Sequence, residues 1–330
     1  MILILFAALA LGVCGDGSRL GTTAALHDGC RDASMSLVQS QASRRGTVAA
    51  FLQLGPKPWE ERYYYVGAHH KSGTELLRAV MRHAFDTLHA PSSCHYWKPG
   101  VKPTPAHFIT STDHDAYCFD RLDIPIQFDP SANLQRFAAA KGAAVLRELP
   151  IRGVHAVRKP KDMLISAYCY HHRGQEYGDA VAPWPEIMSM SPVQGLMALW
   201  PAMSGIIQDM LDFYTNTSSD EVFHMRFEEV TSSSQAFDEV VQRLFRFLFA
   251  PAVPESDLSR MWQAAKVEDL NSNPTYANAI ASSDHSNKDD CMQAAQESLL
   301  QLDPRVVQIL KDTQEQLGYS IENWPDALRS

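Results

Sequence analysis

The sequence predicts an α/β fold: a single domain with a central parallel sheet flanked by helices. Three observations predict it. Short aromatic, β-branched and apolar runs of strand length recur along the chain. Longer segments between them return their apolar residues at helical spacing. The first strand also meets the first helix through a short glycine-containing loop, as strands and helices do when they alternate around a parallel sheet.

The elements follow in order. Tyr63-Tyr64-Tyr65-Val66-Gly67 reads as a buried strand, and Ala68 to Gly73 as the loop after it. Thr74 to Leu88 carries apolar residues at 76, 77, 80, 81, 84, 85 and 88, which is helical spacing. Residues 90–130 are rich in Pro, His, Tyr and Cys and show no clear element, as expected of an excursion over a functional face. Ala143 to Leu149 and Gly153 to Val157 read as strands, and Asp162 to His172 as a helix. Val193 to Tyr214 is a longer helix that Pro201 is expected to kink or split. Glu221 to Phe227 reads as a strand, and Ser234 to Phe249 and Pro304 to Leu317 as helices.

Composition narrows the function. With 45% hydrophobic and 20% charged residues in a chain of 330, the protein is globular rather than disordered. A formal net charge of −9 argues against a global pull toward nucleic acid or anionic membrane. An anion site must therefore be built locally. The N-terminus, Ile2 to Cys14, is an apolar run shorter than the roughly 20 residues a membrane span needs. It reads as a secretory signal or short anchor over 1–15, followed by a flexible stem over 16–58 and the folded domain over 59–330. The expected location is the secretory pathway, in the Golgi lumen or outside the cell, with any membrane contact made through that N-terminal segment. Asn216-Thr217-Ser218 is a glycosylation triplet that suits a lumenal surface. Of six cysteines, Cys94 and Cys118 could pair across their loop in such a compartment. No CxxC pair and no carboxylate cluster suggests a metal site.

Two strand–loop–helix junctions carry the chemistry. The first is His69-His70-Lys71-Ser72-Gly73-Thr74, P-loop-like in position. Free N–H groups at a helix start and the helix dipole favour an anion there. Lys71 adds a charge and Thr74 a hydroxyl. The lysine precedes the glycine, unlike the nucleoside-triphosphate loop G-x-x-x-x-G-K-[ST]. The second junction runs from Arg158 through Pro160 and Asp162 to Ser166-Ala167-Tyr168. Arg158, at a strand's carboxyl end, offers a bidentate phosphate grip, and Ser166, about one helical turn into the next helix, a hydroxyl. Taken singly, each residue reads equally well as a surface charge or a neutral helix position.

Together the two motifs, KxGT and RxPxDxxxSAYxYH, resemble the donor-binding pair of the 3′-phosphoadenosine-5′-phosphosulfate (PAPS) dependent sulfotransferase family, in its secretory, carbohydrate-modifying form. Arg226-Phe227-Glu228-Glu229-Val230 and Gln316-Leu317-Gly318-Tyr319 are similar to later blocks of that family. The resemblance implies sulfonate transfer from PAPS to a hydroxyl or amine acceptor, a glycan foremost, without a metal. It implies that Lys71 contacts the bridging oxygen, that Ser72, Gly73 and Thr74 hold the 5′-phosphate, and that Arg158 and Ser166 hold the 3′-phosphate. Glu148, just before Pro150, is the first choice for the base, with His69, His70, His95 and His114 competing and His70 the favoured histidine. His171 and His172 fall near the expected acceptor, or serve as helix-end dipole partners. The family's glycine-rich lid is replaced by Ser282 to Asp290, in which Lys288 is the one candidate for the 3′-phosphate. Two other readings stay open: a non-catalytic relative that binds PAPS or its product PAP, and a P-loop kinase-like phosphotransferase.

Overall fold

The structure is a computed structural model, and it describes residues 57–90, 124–273, 289–322 and Trp324. The expected signal, the stem up to residue 56, the lid stretch from 282 to 288 and the Cys94–Cys118 pair, with His95, His114 and Lys288, lie outside the described residues.

In chain order the elements are α1 (Pro58–Glu61), β1 (Tyr63–Gly67), α2 (Thr74–Thr87), β2 (Ile126–Asp129), α3 (Leu134–Val145), β3 (Ile151–Val157), α4 (Pro160–His172), α5 (Pro192–Asn216), β4 (Val222–Arg226), α6 (Phe227–Val230), α7 (Ser234–Phe249), α8 (Glu255–Ala265), α9 (Asp289–Ser298) and α10 (Pro304–Gln316). The four strands form one parallel sheet in the order β2-β1-β3-β4.

The apolar run in β1 is explained by burial on both faces, as parallel strands require. Tyr64 and Val66 enter a core with Leu76, Leu77 and Val80 of α2 and Val241, Leu244 and Phe245 of α7. Tyr63 and Tyr65 turn to the other face, where Tyr65 packs on Phe137 of α3 and stacks on Phe213 of α5 at 5.8 Å. A third cluster joins Leu164 and Ile165 of α4, Leu196 and Leu199 of α5, Leu299 and Leu310.

Four expectations change. Ala143 to Leu149 is not a strand: Ala143–Val145 ends α3, and the run leaves Val145 and Leu146 exposed (74% and 86%). Phe137, Ala140 and Ala144 are the buried stripe of that helix, at helical spacing. Within 90–130, Ile126–Asp129 is a strand, the sheet's edge. Pro201 does not split α5, which runs unbroken through it with a capping box at Ser191 and Gln194. Finally, a cysteine pair that spacing did not suggest, Cys169 of α4 and Cys291 of α9, is bonded across a separation of 122 residues. Closing so long a loop restricts the unfolded chain strongly. Replacing Cys291 by Ser should therefore cost about 2–5 kcal/mol, read as a lower midpoint in denaturant with a somewhat steeper slope, because the unlinked unfolded chain exposes more surface.

Candidate functional site

In a sheet of order 2-1-3-4 the connections leave β1 in one direction and β3 in the other. The crevice outside the carboxyl ends of β1 and β3 is therefore the topological switch point, where open α/β sheets take their ligands. Both motifs open there.

The loop after β1 is organised around the backbone of His69. Its carbonyl accepts from the Ser72 N–H (2.9 Å), the Ser72 hydroxyl (3.0 Å) and the Thr74 hydroxyl (2.9 Å), and its N–H donates to Ser72 Oγ (2.9 Å). Ser72 is fully buried. Thr74 begins α2, whose first ladder bond runs from the Leu77 N–H to the Gly73 carbonyl. The N–H groups of Thr74, Glu75 and Leu76 thus precede the ladder and form the positive end of the helix. Gly73 has φ +102°, and a Cβ there would lie 2.6 Å from Cδ2 of Phe227. Glycine is needed on both counts.

Lys71 is half-buried with φ +64°, and its Nζ lies 2.9 Å from the centroid of the Tyr170 ring. Burial pushes its ammonium down to about 7; Glu176 and Glu75 oppose this, while Arg173 and Arg158 add to it.

Arg158 follows β3. Its Nη1 donates to the Lys71 carbonyl at 2.9 Å, and its guanidinium lies 4.4 Å from the ring centroid of Phe227. Its Nε is buried without a hydrogen-bond partner in the structure. One side chain therefore ties the second loop to the first and keeps a donor in reserve. The next N–H, of Lys159, donates to Glu228 Oε1 at 2.9 Å. Helix α4 starts at Pro160, two residues before the expected start, so Ser166 sits nearly two turns inside it and is buried. The Gly318 block closes the far side: Arg226 donates to the Leu317 carbonyl (2.8 Å) and to the Tyr214 hydroxyl (2.9 Å), and its guanidinium lies 4.9 Å from the Tyr319 ring centroid.

Lys71, Ser72, Gly73, Thr74 and Arg158 are thus gathered at one crevice, with His70 in the same loop. Glu148 is not among them. It is exposed in the turn before β3, with φ +55°, at the opposite end of a seven-residue strand. Such a strand spans roughly 20 Å, too far for a base that must reach the reacting hydroxyl. The expected pair at the end of α4 diverges: His171 is fully buried and faces His70, with Nε2 atoms 3.1 Å apart, whereas His172 lines a cleft of about 450 Å³ with Tyr168, Arg173 and Asp290 beside the disulfide.

Sequence reasoning missed a row of histidines beneath the crevice, two of them buried and the third half-buried. His69 Nε2 meets His155 Nε2 at 2.8 Å, His155 Nδ1 meets His224 Nδ1 at 3.1 Å, and His224 Nε2 meets the Thr217 hydroxyl at 3.3 Å. The Thr217 proton is committed to the Phe213 carbonyl at 2.7 Å. His224 Nε2 must then donate to Thr217, His155 Nδ1 to His224, and His69 Nε2 to His155. Every ring is neutral in this arrangement. Burial pushes His69 down to about 3 and His224 to about 4, and holds His155 well below the ordinary histidine range. The register Gly67–His155–His224 across β1, β3 and β4 is the signal that finds the row, and it is visible only once the strands are paired.

No family model and no curated protein matches the chain. Among solved structures, mouse sulfotransferase SULT7A1 complexed with PAP is similar, at 14% identity and a TM-score of 0.41, over 78% of this chain and 84% of that one. That likeness is too low to assign a role to any residue.

Proposed function

We propose that this protein transfers the sulfonate group of PAPS to a hydroxyl or amine acceptor, a glycan foremost. The observation that carries the reading is the Arg158–Lys71 link at the switch point, which joins the two motif-bearing loops at one crevice. A nucleotide with a phosphosulfate at one end and a phosphate at the other needs two such loops; a nucleoside triphosphate with a single phosphate chain needs one. In the step itself the acceptor oxygen forms a bond to sulfur as the bond from sulfur to the phosphate oxygen breaks. Charge develops on that phosphate, PAP leaves, and the acceptor's proton passes to a base. Lys71 and the N–H groups at the start of α2 stabilise the developing charge. His70 is the titratable side chain of that loop best placed to take the proton. Arg158 and Ser166 are assigned to the 3′-phosphate.

The Cys169–Cys291 bond and the apolar N-terminal run support a secretory location, where disulfides persist. One observation favours the binding-only alternative: the Ser72 and Thr74 hydroxyls both donate inward to His69. Calorimetry with PAP in the presence of a chelator tests the donor site. Micromolar binding is expected, weakened about 10–100-fold in Arg158→Ala, which removes charge-assisted hydrogen bonds to the 3′-phosphate, and less in Lys71→Ala, whose contact strengthens only as the bond to phosphate breaks. Absence of binding by folded protein overturns the reading. Binding without sulfonate transfer to any acceptor leaves the binding-only alternative.

A further inference from the structure

The expectation of no metal rests on the absence of a carboxylate cluster or CxxC pair, yet the fold assembles a donor set of another kind. His70 comes from the loop after β1, His171 from the last turn of α4, and Glu176 from the turn that follows. One ligating atom from each of the three lies within 4.8 Å of the others. The two imidazoles are nearly parallel, 12° apart, with Nε2 atoms at 3.1 Å. Two nitrogens bound to one zinc at about 2.0–2.1 Å in tetrahedral geometry would be separated by only slightly more.

The tautomer is already set. His171 Nδ1 lies 3.2 Å from the Gln175 carbonyl, which can only accept. Nδ1 therefore carries the proton and Nε2 presents a lone pair toward His70. This is the outer-shell contact that orients a metal-binding imidazole. Glu176 is brought back by a tight turn, with φ +88° at Gly174 and +53° at Glu176 itself. A non-glycine residue holds that conformation only when its surroundings require it. One carboxylate oxygen, Oε2, lies 4.0 Å from His70 Nδ1, and the other, Oε1, accepts from the Tyr170 hydroxyl at 3.4 Å. The site is anchored at His171, fully buried, and reachable from solvent past His70 and Glu176, whose side chains are 17% and 33% exposed.

We propose that His70, His171 and Glu176 bind one divalent transition-metal ion, zinc by preference, with a fourth position open. Two imidazoles and one carboxylate suit zinc, whereas magnesium and calcium take oxygen donors. Three protein ligands with an open position are the arrangement of reactive rather than purely structural zinc sites. The fourth position would take a water or a hydroxyl oxygen beside Lys71. The inference goes beyond the donor reading and its test does not depend on it, because the metal is read directly; a bound ion would occupy His70, which would then not also be the base named above.

The test uses the full chain, stripped with a chelator, reloaded with Zn²⁺ and passed through gel filtration before metal analysis. One zinc per chain is expected. Co²⁺ loading should give the visible absorption of a four-coordinate ion, and excess Mg²⁺ should not displace either metal. Affinity should fall at least 10-fold in Glu176→Gln, where the substituted side chain is partly exposed and the fold should persist, and at least as far in His70→Gln. Unfolding in urea verifies the fold of each. A wild type that retains well under one zinc per chain overturns the proposal. So does unchanged affinity in both folded variants.

Discussion

Lys71→Met should lower sulfonate transfer from PAPS by about 10²–10³-fold, the range found when one preorganised donor to a developing oxyanion is removed. The loop around it is held by backbone and hydroxyl bonds to His69, none of which involves the Lys71 side chain. The methionine side chain can still lie on the Tyr170 face that the ammonium now occupies. Unfolding in urea should therefore change little, and the loss should fall on turnover far more than on donor KM, because the interaction strengthens as the bond to phosphate breaks. Labelled PAPS, with the released PAP counted, gives both parameters. Equal losses in turnover and affinity would make Lys71 a ground-state binding residue. Full activity would remove it from the site.

The second large effect is acid lability. His155, fully buried between His69 of the loop after β1 and Phe213, and the half-buried His224 beside it are neutral in the folded protein, with Arg226 adding its charge against protonation of His224. In the unfolded chain both titrate near 6.5. Their folded values are lower, so the unfolded state binds more protons in between. Stability is fully present above about pH 6.5 and is lost as the pH falls toward 4. For His224 alone, the fall from 6.5 to about 4 corresponds to about 3 kcal/mol at the acid end. His155, with no exposed surface, adds to it. Urea midpoints measured at pH 7.5, 6.5, 5.5 and 4.5 should be level over the first interval and then drop steeply. His224→Gln should flatten the slope by about one proton. A midpoint that stays level down to pH 4.5 would contradict the neutral row.

Much of this arrangement was legible in the sequence, and particular residues show why. Strand β1 announced itself because both faces are buried, leaving no polar residue to interrupt Tyr63 to Gly67. The two strand–loop–helix junctions were legible because their pattern is local: a lysine and a glycine before a helix, an arginine after a strand. Glu148 suggested itself by its place ahead of Leu149-Pro150, and the sequence hid that the chain from Ala143 leaves a helix at Val145 and turns, so that Glu148 falls at the start of β3 and not at its carboxyl end. Strand β2 was hidden by its brevity, four residues paired with β1 alone. The histidine row, the His70–His171–Glu176 group and the Cys169–Cys291 bond all join residues far apart in the chain. Register and the packing of α4 bring them together, and no local pattern encodes that. Phe227, which fills the space beside Gly73 and stacks on Arg158, lay inside a recognised block, but its role follows only from the geometry.

The central claim is that the crevice holds two phosphate ends of one nucleotide, the 3′ end through Arg158. The most direct measurement is calorimetric comparison of PAP with adenosine 5′-monophosphate, for wild type and Arg158→Ala, with chelator present. The account predicts that wild type prefers PAP by about 10–100-fold, the range expected of a charge-assisted phosphate contact, and that Arg158→Ala abolishes most of this preference while leaving the monophosphate affinity nearly unchanged. Equal affinity of the wild type for the two nucleotides, or a preference for PAP that survives in Arg158→Ala, would contradict it.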